Sequence, residues 1–128
     1  MLALAKKRHA YSDLHKLELV NFLNLHPAEF DLLISADTLC YFGSLQSVMA
    51  ASYRAVRAGG HVIYTVEASD DDTCPHRLDP SGRYAHSLVH VSTAATAAGL
   101  RLSCVNRVTL RTESGKPVTG WLVTLNRP

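Results

Sequence analysis

A run of apolar residues at helical spacing passes through two glycines into a run of β-branched and aromatic ones, and this junction constrains the fold more than any other stretch. Leu45, Val48, Met49, Ser52, Tyr53 and Val56 fall at i, i+3, i+4, i+7, i+8 and i+11, one face of an amphipathic helix. The spacing predicts a helix over 45–57 with Ser44 as its N-cap, closed by Gly59-Gly60, because glycine takes the left-handed conformation that often follows a helix. His61 to Glu67, HVIYTVE, then has the composition and length of a strand. Upstream, Phe30 to Gly43, FDLLISADTLCYFG, opens on an aromatic, runs through Leu32, Leu33 and Ile34, and stops at Asp37. A strand apolar on both faces belongs inside a layered α/β sheet. The helix is therefore the crossover between two parallel strands. In such sheets ligands sit outside the carboxyl ends of the strands, which makes Asp37 to Tyr41 the first candidate site.

The remaining elements extend this unit in both directions. Met1 to Arg8 is rich in helix formers and begins without a capping residue, in the manner of a helix cut from a longer one. Tyr11-Ser12-Asp13 is a turn and His15 to Glu18 a short strand end; the helical spacing that starts at Leu19 stops by Pro27. Ala68 to Arg83 is a long polar loop, of a length that is usually functional or mobile. Ser87 to Ala98 is a small-residue helix with Val91, Ala94, Ala95 and Ala98 inward and Gly99 closing it. Alternation from Leu100 through Leu110, a turn at Glu113-Ser114-Gly115-Lys116 and a strand over Val118 to Leu125 make an antiparallel hairpin. The fold class is an α/β sandwich of parallel strands plus a C-terminal antiparallel hairpin, in one domain spanning 1–128.

Composition removes several function classes. A chain of 128 residues, 47% of them apolar, can bury about two-thirds of its unfolded surface. Thirteen basic against 11 acidic residues give +2, too little to make the surface as a whole a nucleic-acid or membrane partner; Lys6 to His9 is basic but fits a solvated helix end. Cys40, Cys74 and Cys104 are odd in number and have no CxxC spacing, which points to a reducing compartment and a cytoplasmic protein. No apolar stretch reaches the roughly 20 residues of a membrane span, and no signal peptide is evident.

Taken with their order, FDLLISADTLCYFG, VRAGGHVIYTVE and the closing hairpin resemble the fourth strand and its loop, the fifth strand, and the sixth and seventh strands of class I S-adenosylmethionine-dependent methyltransferases. The chain thus looks like the C-terminal half of such a Rossmann-like domain. YSDLHKLELVNFL, FDLLISADTLCYFG and LDPSGRYAHS together are similar to the predicted methyltransferases often fused to tetratricopeptide repeats. The resemblance implies S-adenosylmethionine as cofactor. It places Glu18, at the end of a short third strand, near the adenine amino group, and Ala36, Asp37, Thr38 and Leu39 beneath the methionine part. Tyr41 faces the substrate cleft, and Arg83, Tyr84 and His86 match a signature of the closer subfamily. On this reading Tyr41, Arg83, Tyr84 and His86 are substrate-binding candidates, and Tyr41 and His86 the catalytic ones. The residues themselves leave alternatives open: Glu18 as a helix-start acid, Asp37 as a turn cap, and Arg83 and His86 either as an anion binder and a base or as loop anchors.

The chain also departs from the family pattern. No GxG occurs in it, and only glycine lets a backbone approach the cofactor closely while presenting a helix N-terminus. The expectation is a partial methyltransferase fold without its first two strands, binding S-adenosylmethionine weakly or not at all, with exposed sheet edges that favour homodimerisation or strand exchange. A non-catalytic dimeric or partner-binding remnant is the alternative. A zinc-binding module built from Cys74, His76, His86 and His90 is a lesser one, with His86 and His90 four apart on a predicted helix. The methyltransferase resemblance implies no metal. Methyl transfer asks the protein mainly for alignment and, for some acceptors, proton removal, so the acceptor is not legible.

Overall fold

The computed structural model describes residues 18–128. The helix expected over Met1 to Arg8, the turn at 11–13 and the strand end from His15 lie outside the described residues, apart from Glu18. The elements are α1 (Leu19–Asn24), β1 (Phe30–Ser35), a 3-10 turn (Leu39–Tyr41), α2 (Gln46–Ala55), β2 (Val56–Ser69), β3 (His76–Leu78), β4 (Tyr84–Ser87), α3 (Leu88–Ala98), β5 (Arg101–Glu113) and β6 (Lys116–Asn126).

β2 is the spine of the sheet, whose order is β3-β4-β2-β6-β5 with β1 also on β2. β1 runs parallel to the first part of β2, from Phe30↔Val56 to Ser35↔Tyr64. β4 then takes over as the parallel neighbour, from Glu67↔Ala85 to Ser69↔Ser87. On the other side β6 is antiparallel to β2, and β5 and β6 form the expected hairpin. The parallel β1–α2–β2 crossover is therefore present, and the sheet is mixed. Between Tyr64 and Glu67, β2 changes neighbour on one edge, and the turn leaving β1 fills the opening.

Several boundaries differ from expectation for identifiable reasons. α2 ends at Ala55, not at the glycines, because Val56 is already extended (φ −85, ψ 148) and paired with Phe30. Gly59 does have a positive φ of 83, but within β2. The α2 cap is Leu45, without a side-chain bond; Ser44 sits one residue too early, although its Oγ accepts the Gln46 amide at 3.3 Å. The predicted loop 68–83 contains β3, and β4 follows it, two short strands that pair antiparallel. Their few residues carry no alternation long enough to reveal them. His86 consequently lies in β4, not on the helix with His90. α3 agrees closely: Ser87 caps it through Oγ to the His90 amide at 3.1 Å, and Gly99 closes it in the left-handed region.

Val62, Tyr64 and Val66 alternate along β2 and so share a face. That face meets Val48 and Met49 of α2, Val91, Ala94 and Ala95 of α3, and Trp121, Val123 and Leu125 of β6. On the opposite face of β1, Leu32 and Ile34 are 48% and 67% exposed, so β1 is not buried on both faces among the described residues. The sandwich expected from sequence is, over these residues, a sheet with its long helices on one face. Gly120 marks the tightest contact inside the sheet: a Cβ there would lie 2.2 Å from the Val66 carbonyl oxygen. Among the described residues no helix is long and apolar enough to cross a membrane.

A candidate active site at the carboxyl end of β1

The chain turns sharply after β1. Asp37 takes φ +54, a conformation that few residues other than glycine adopt and that Asp tolerates better than most. Its amide donates to Thr65 Oγ1 at 3.1 Å, and Thr38 Oγ1 donates to the Ala36 carbonyl at 3.1 Å. The 3-10 turn follows, with Cys40 Sγ on the Asp37 carbonyl at 3.6 Å. This places Asp37, Cys40 and Tyr41 on a cleft of about 150 Å³, completed by Arg83 and Arg111. A larger groove of about 380 Å³ between α3 and β5 has Asp72 as its one ionisable lining residue.

Charge organises the smaller cleft. Arg111 donates to Asp37 Oδ1 at 3.0 Å, Glu67 Oε1 at 2.5 Å and Glu113 Oε1 at 2.8 Å. Arg83 also pairs with Glu113. Two guanidiniums against three carboxylates leave one negative charge in excess. Glu67 is 8% exposed, and its Oε2 is buried with no partner. Burial pushes its carboxyl above the usual range, against the pull of Arg111 and Arg83. Cys40 is raised too, first by burial and then by Glu67. The Arg83 guanidinium is held above its ordinary value by its hydrogen bond with Tyr41, then by Glu113.

Of the residues singled out from sequence, Asp37, Tyr41 and Arg83 come together in this cleft. Ala36 and Thr38 shape the turn beside it, and Leu39 is fully buried beneath. Glu18 caps α1, its two oxygens accepting the Val20 and Asn21 amides at 3.0 Å each. Tyr84 and His86 do not line the cleft. Tyr84 packs edge-on against His76, with ring centroids 5.6 Å apart, and His86 is fully buried with Nε2 on the carbonyls of Phe42 and Gly43. The zinc reading finds its imidazoles gathered but committed elsewhere. His90 Nε2 accepts the Leu45 amide, Cys74 Sγ donates to the His76 carbonyl, and no group of three or more His, Cys, Asp or Glu among the described residues is disposed to hold a metal ion.

Arg111, Glu67 and Glu113 were missed. Arg111 and Glu113 stand two apart on β5, a spacing that hinted at a shared face, but the register shift between Thr109 and Arg111 decides which way they point.

The model of the methyltransferase domain family matches residues 1–64, half of the chain. The chain belongs to this family. The methyltransferase structures agree in fold: an S-adenosylmethionine-dependent methyltransferase from Methanosarcina mazei is similar at 15% identity and TM-score 0.70, over 98% of this chain and 76% of that one. The (4+2)-cyclase SpnF is similar at 14% identity and TM-score 0.78, over 98% of this chain and 61% of its own. A 1,6-didemethyltoxoflavin-N1-methyltransferase from Burkholderia thailandensis, with bound 1,6-didemethyltoxoflavin and S-adenosylhomocysteine, is similar at 18% identity and TM-score 0.62, over 79% and 45%. No curated protein matches the chain in sequence. The methyltransferase fold also hosts a cyclase, so reaction has to be argued from the site.

Proposed function

We propose that the chain serves S-adenosylmethionine-dependent methyl transfer at the cleft after β1. The observation that carries this is the convergence of Asp37, Tyr41 and Arg83 where β2 changes neighbour, in a member of the methyltransferase family. The Ala36–Leu39 turn forms the floor under the methionine part of the donor. Glu18 remains able to receive the adenine amino group, because each oxygen uses one of its two lone pairs in capping α1. The closer likeness to methyltransferases fused to tetratricopeptide repeats rests on YSDLHKLELVNFL, FDLLISADTLCYFG and LDPSGRYAHS together and belongs to the same proposal.

S-adenosylmethionine supplies an activated methyl group, so the residues have to orient, exclude water and take up a proton. Tyr41, 65% exposed and beside Arg83 on the cleft wall, is the candidate catalytic side chain in reach of the acceptor. His86 has no path to it. Both arginines are committed to carboxylates, and the excess charge is negative. The acceptor is therefore a neutral or cationic molecule that presents a neutral nucleophile, an amine or hydroxyl, in preference to an anion.

A cleft of about 150 Å³ is small beside the roughly 300–1,000 Å³ of complete ligand sites, and no GxG turn occurs in these 128 residues. Donor binding by them alone is weak, with Kd on the order of 0.1–1 mM. Equilibrium dialysis with tritiated S-adenosylmethionine tests this. Saturable retention in that range supports the reading; none at all removes the donor, and low-micromolar binding removes the argument for weakness.

A second reading is favoured by one observation. Leu32 and Ile34 project, exposed, from a strand that pairs only with β2 among the described residues. Self-association through this face is the outcome it predicts. Light scattering on the eluting protein decides: a dimer that Ile34→Lys dissociates supports it, and a monomer at high concentration ends it.

A further inference from the structure

Two histidines hold one short segment of backbone, and a third packs against it. The strap Phe42–Leu45 follows directly on the cleft residues Cys40 and Tyr41. His86 Nε2, from β4, lies 2.8 Å from the Phe42 carbonyl and 3.1 Å from that of Gly43. It faces two acceptors and must carry the proton there. His90 Nε2, from the first turn of α3, lies 3.2 Å from the Leu45 amide. It faces a donor and must be bare there, which puts its proton on Nδ1 when neutral. His76, from β3, closes the third side: a Cβ on Gly43 would sit 3.2 Å from His76 Nε2 and 3.3 Å from the Tyr84 ring. The His86 and His90 rings stack at 5.8 Å and 12°, and His76 stands 5.5 Å from His90.

We propose that neutral His86 and His90 are positioning residues: together they hold the strap, and through it Cys40 and Tyr41 of the cleft wall, and protonation releases it. A proton added to His90 Nε2 faces the Leu45 N–H, donor against donor. A proton added to His86 goes to Nδ1, which is buried without a partner, as is Nδ1 of His76. The titratable groups around the pair are His76 from β3, Tyr84 from β4 and Cys74 ahead of β3. The charges acting on His86 are those of His90 and His76, and on His90 that of His76, so no carboxylate stabilises an imidazolium here. Burial first, then the neighbouring imidazoles, push both groups below the ordinary 6.5, with carbonyl contacts opposing. The folded chain binds these protons less readily than the unfolded one. The clamp's contribution is complete above 6.5 and shrinks as pH falls toward the lowered folded-state values.

The link to catalysis rests on the proposed methyl-transfer site, whereas the clamp is read without any cofactor, so the two fail separately. Long-range nitrogen–proton NMR on histidine-labelled protein at about pH 7.5 is expected to show His86 with its proton on Nε2 and His90 with its proton on Nδ1. Labelling of Cys40 by 4,4′-dithiodipyridine, quantified by peptide mass and normalised to the unfolded chain at the same pH, reads the strap itself. Cys40 is 4% exposed. Its labelling is expected to rise about tenfold between about pH 7.5 and 5, and His90→Ala to give a similar rise already at the higher pH, the equivalent of one lost hydrogen bond. His90→Gln, which keeps an acceptor but cannot titrate, is expected to restore protection and to blunt the rise at low pH. The opposite tautomers, or Cys40 labelling that ignores pH in the wild type, overturns the proposal; neither measurement depends on whether His90→Ala folds.

Discussion

The Arg111 guanidinium donates to Asp37 Oδ1 at 3.0 Å, tying the end of β5 to the turn after β1 across 74 positions of sequence. Through the same guanidinium, Glu67 in β2 and Glu113 in β5 join the cluster. A residue outside the matched 1–64 segment thus holds the turn that the segment supplies.

Replacing Arg111 with Leu leaves Glu67 buried without its counter-charge. The expected loss is about 2 kcal/mol, below the roughly 3–5 kcal/mol of a fully buried pair because the guanidinium is partly solvated. Urea denaturation of the single variant and of Arg111→Leu with Glu67→Gln checks it; the second substitution is expected to recover about half of the loss.

Glu67 also sets a pH dependence. Its folded-state carboxyl is raised, so the native state binds a proton more readily than the unfolded chain. The stability this contributes is present below the unfolded value of 4.5 and is lost as pH rises through the folded one. Glu67→Gln is expected to remove that downward slope. Unfolding midpoints of the two proteins, measured from about pH 4 to 7, are expected to diverge in favour of the variant as pH rises.

Ser52 is fully buried, donates to the Val48 carbonyl at 2.6 Å and shares a short hydrogen bond with the Tyr64 hydroxyl. Ser52→Ala strands that hydroxyl in the core and is expected to cost about 2 kcal/mol; Tyr64→Phe removes it and costs about 1 kcal/mol. Thermal unfolding of both variants tests the ordering, which a purely volumetric account does not produce.

Gly120→Ala puts a Cβ 2.2 Å from the Val66 carbonyl oxygen and 2.6 Å from Leu110 Cδ1. The first neighbour is backbone and cannot swing away, so a loss of about 3 kcal/mol or more is expected in chemical denaturation. Gly115→Ala, in open space at φ +76, meets only the backbone preference and is expected to cost about 1 kcal/mol.

Much of this architecture was legible because it rests on long periodic runs. The apolar face of α2 and the β-branched, aromatic run of β2 each extend one signal over several turns or residues, Gly99 closes α3, and each appears near its expected place. β3 and β4 are three and four residues long, too short for such a signal. Asp37, Tyr41 and Arg83 were singled out as candidates because they end a strand or match a family signature. Arg111 was not, because a register shift aims it. For His86 the residue type leaves a base and a loop anchor both open; its complete burial, a property of the packing of β4 under the strap, favours the anchor.

Amide NMR during titration with S-adenosylhomocysteine tests the central claim most directly. The account predicts shifts confined to Ala36–Tyr41, the neighbouring Thr65 and the Glu18–Asn21 cap, saturating on the order of 0.1–1 mM. Spectra unchanged in that segment at several millimolar, or shifts centred elsewhere on the sheet, contradict it.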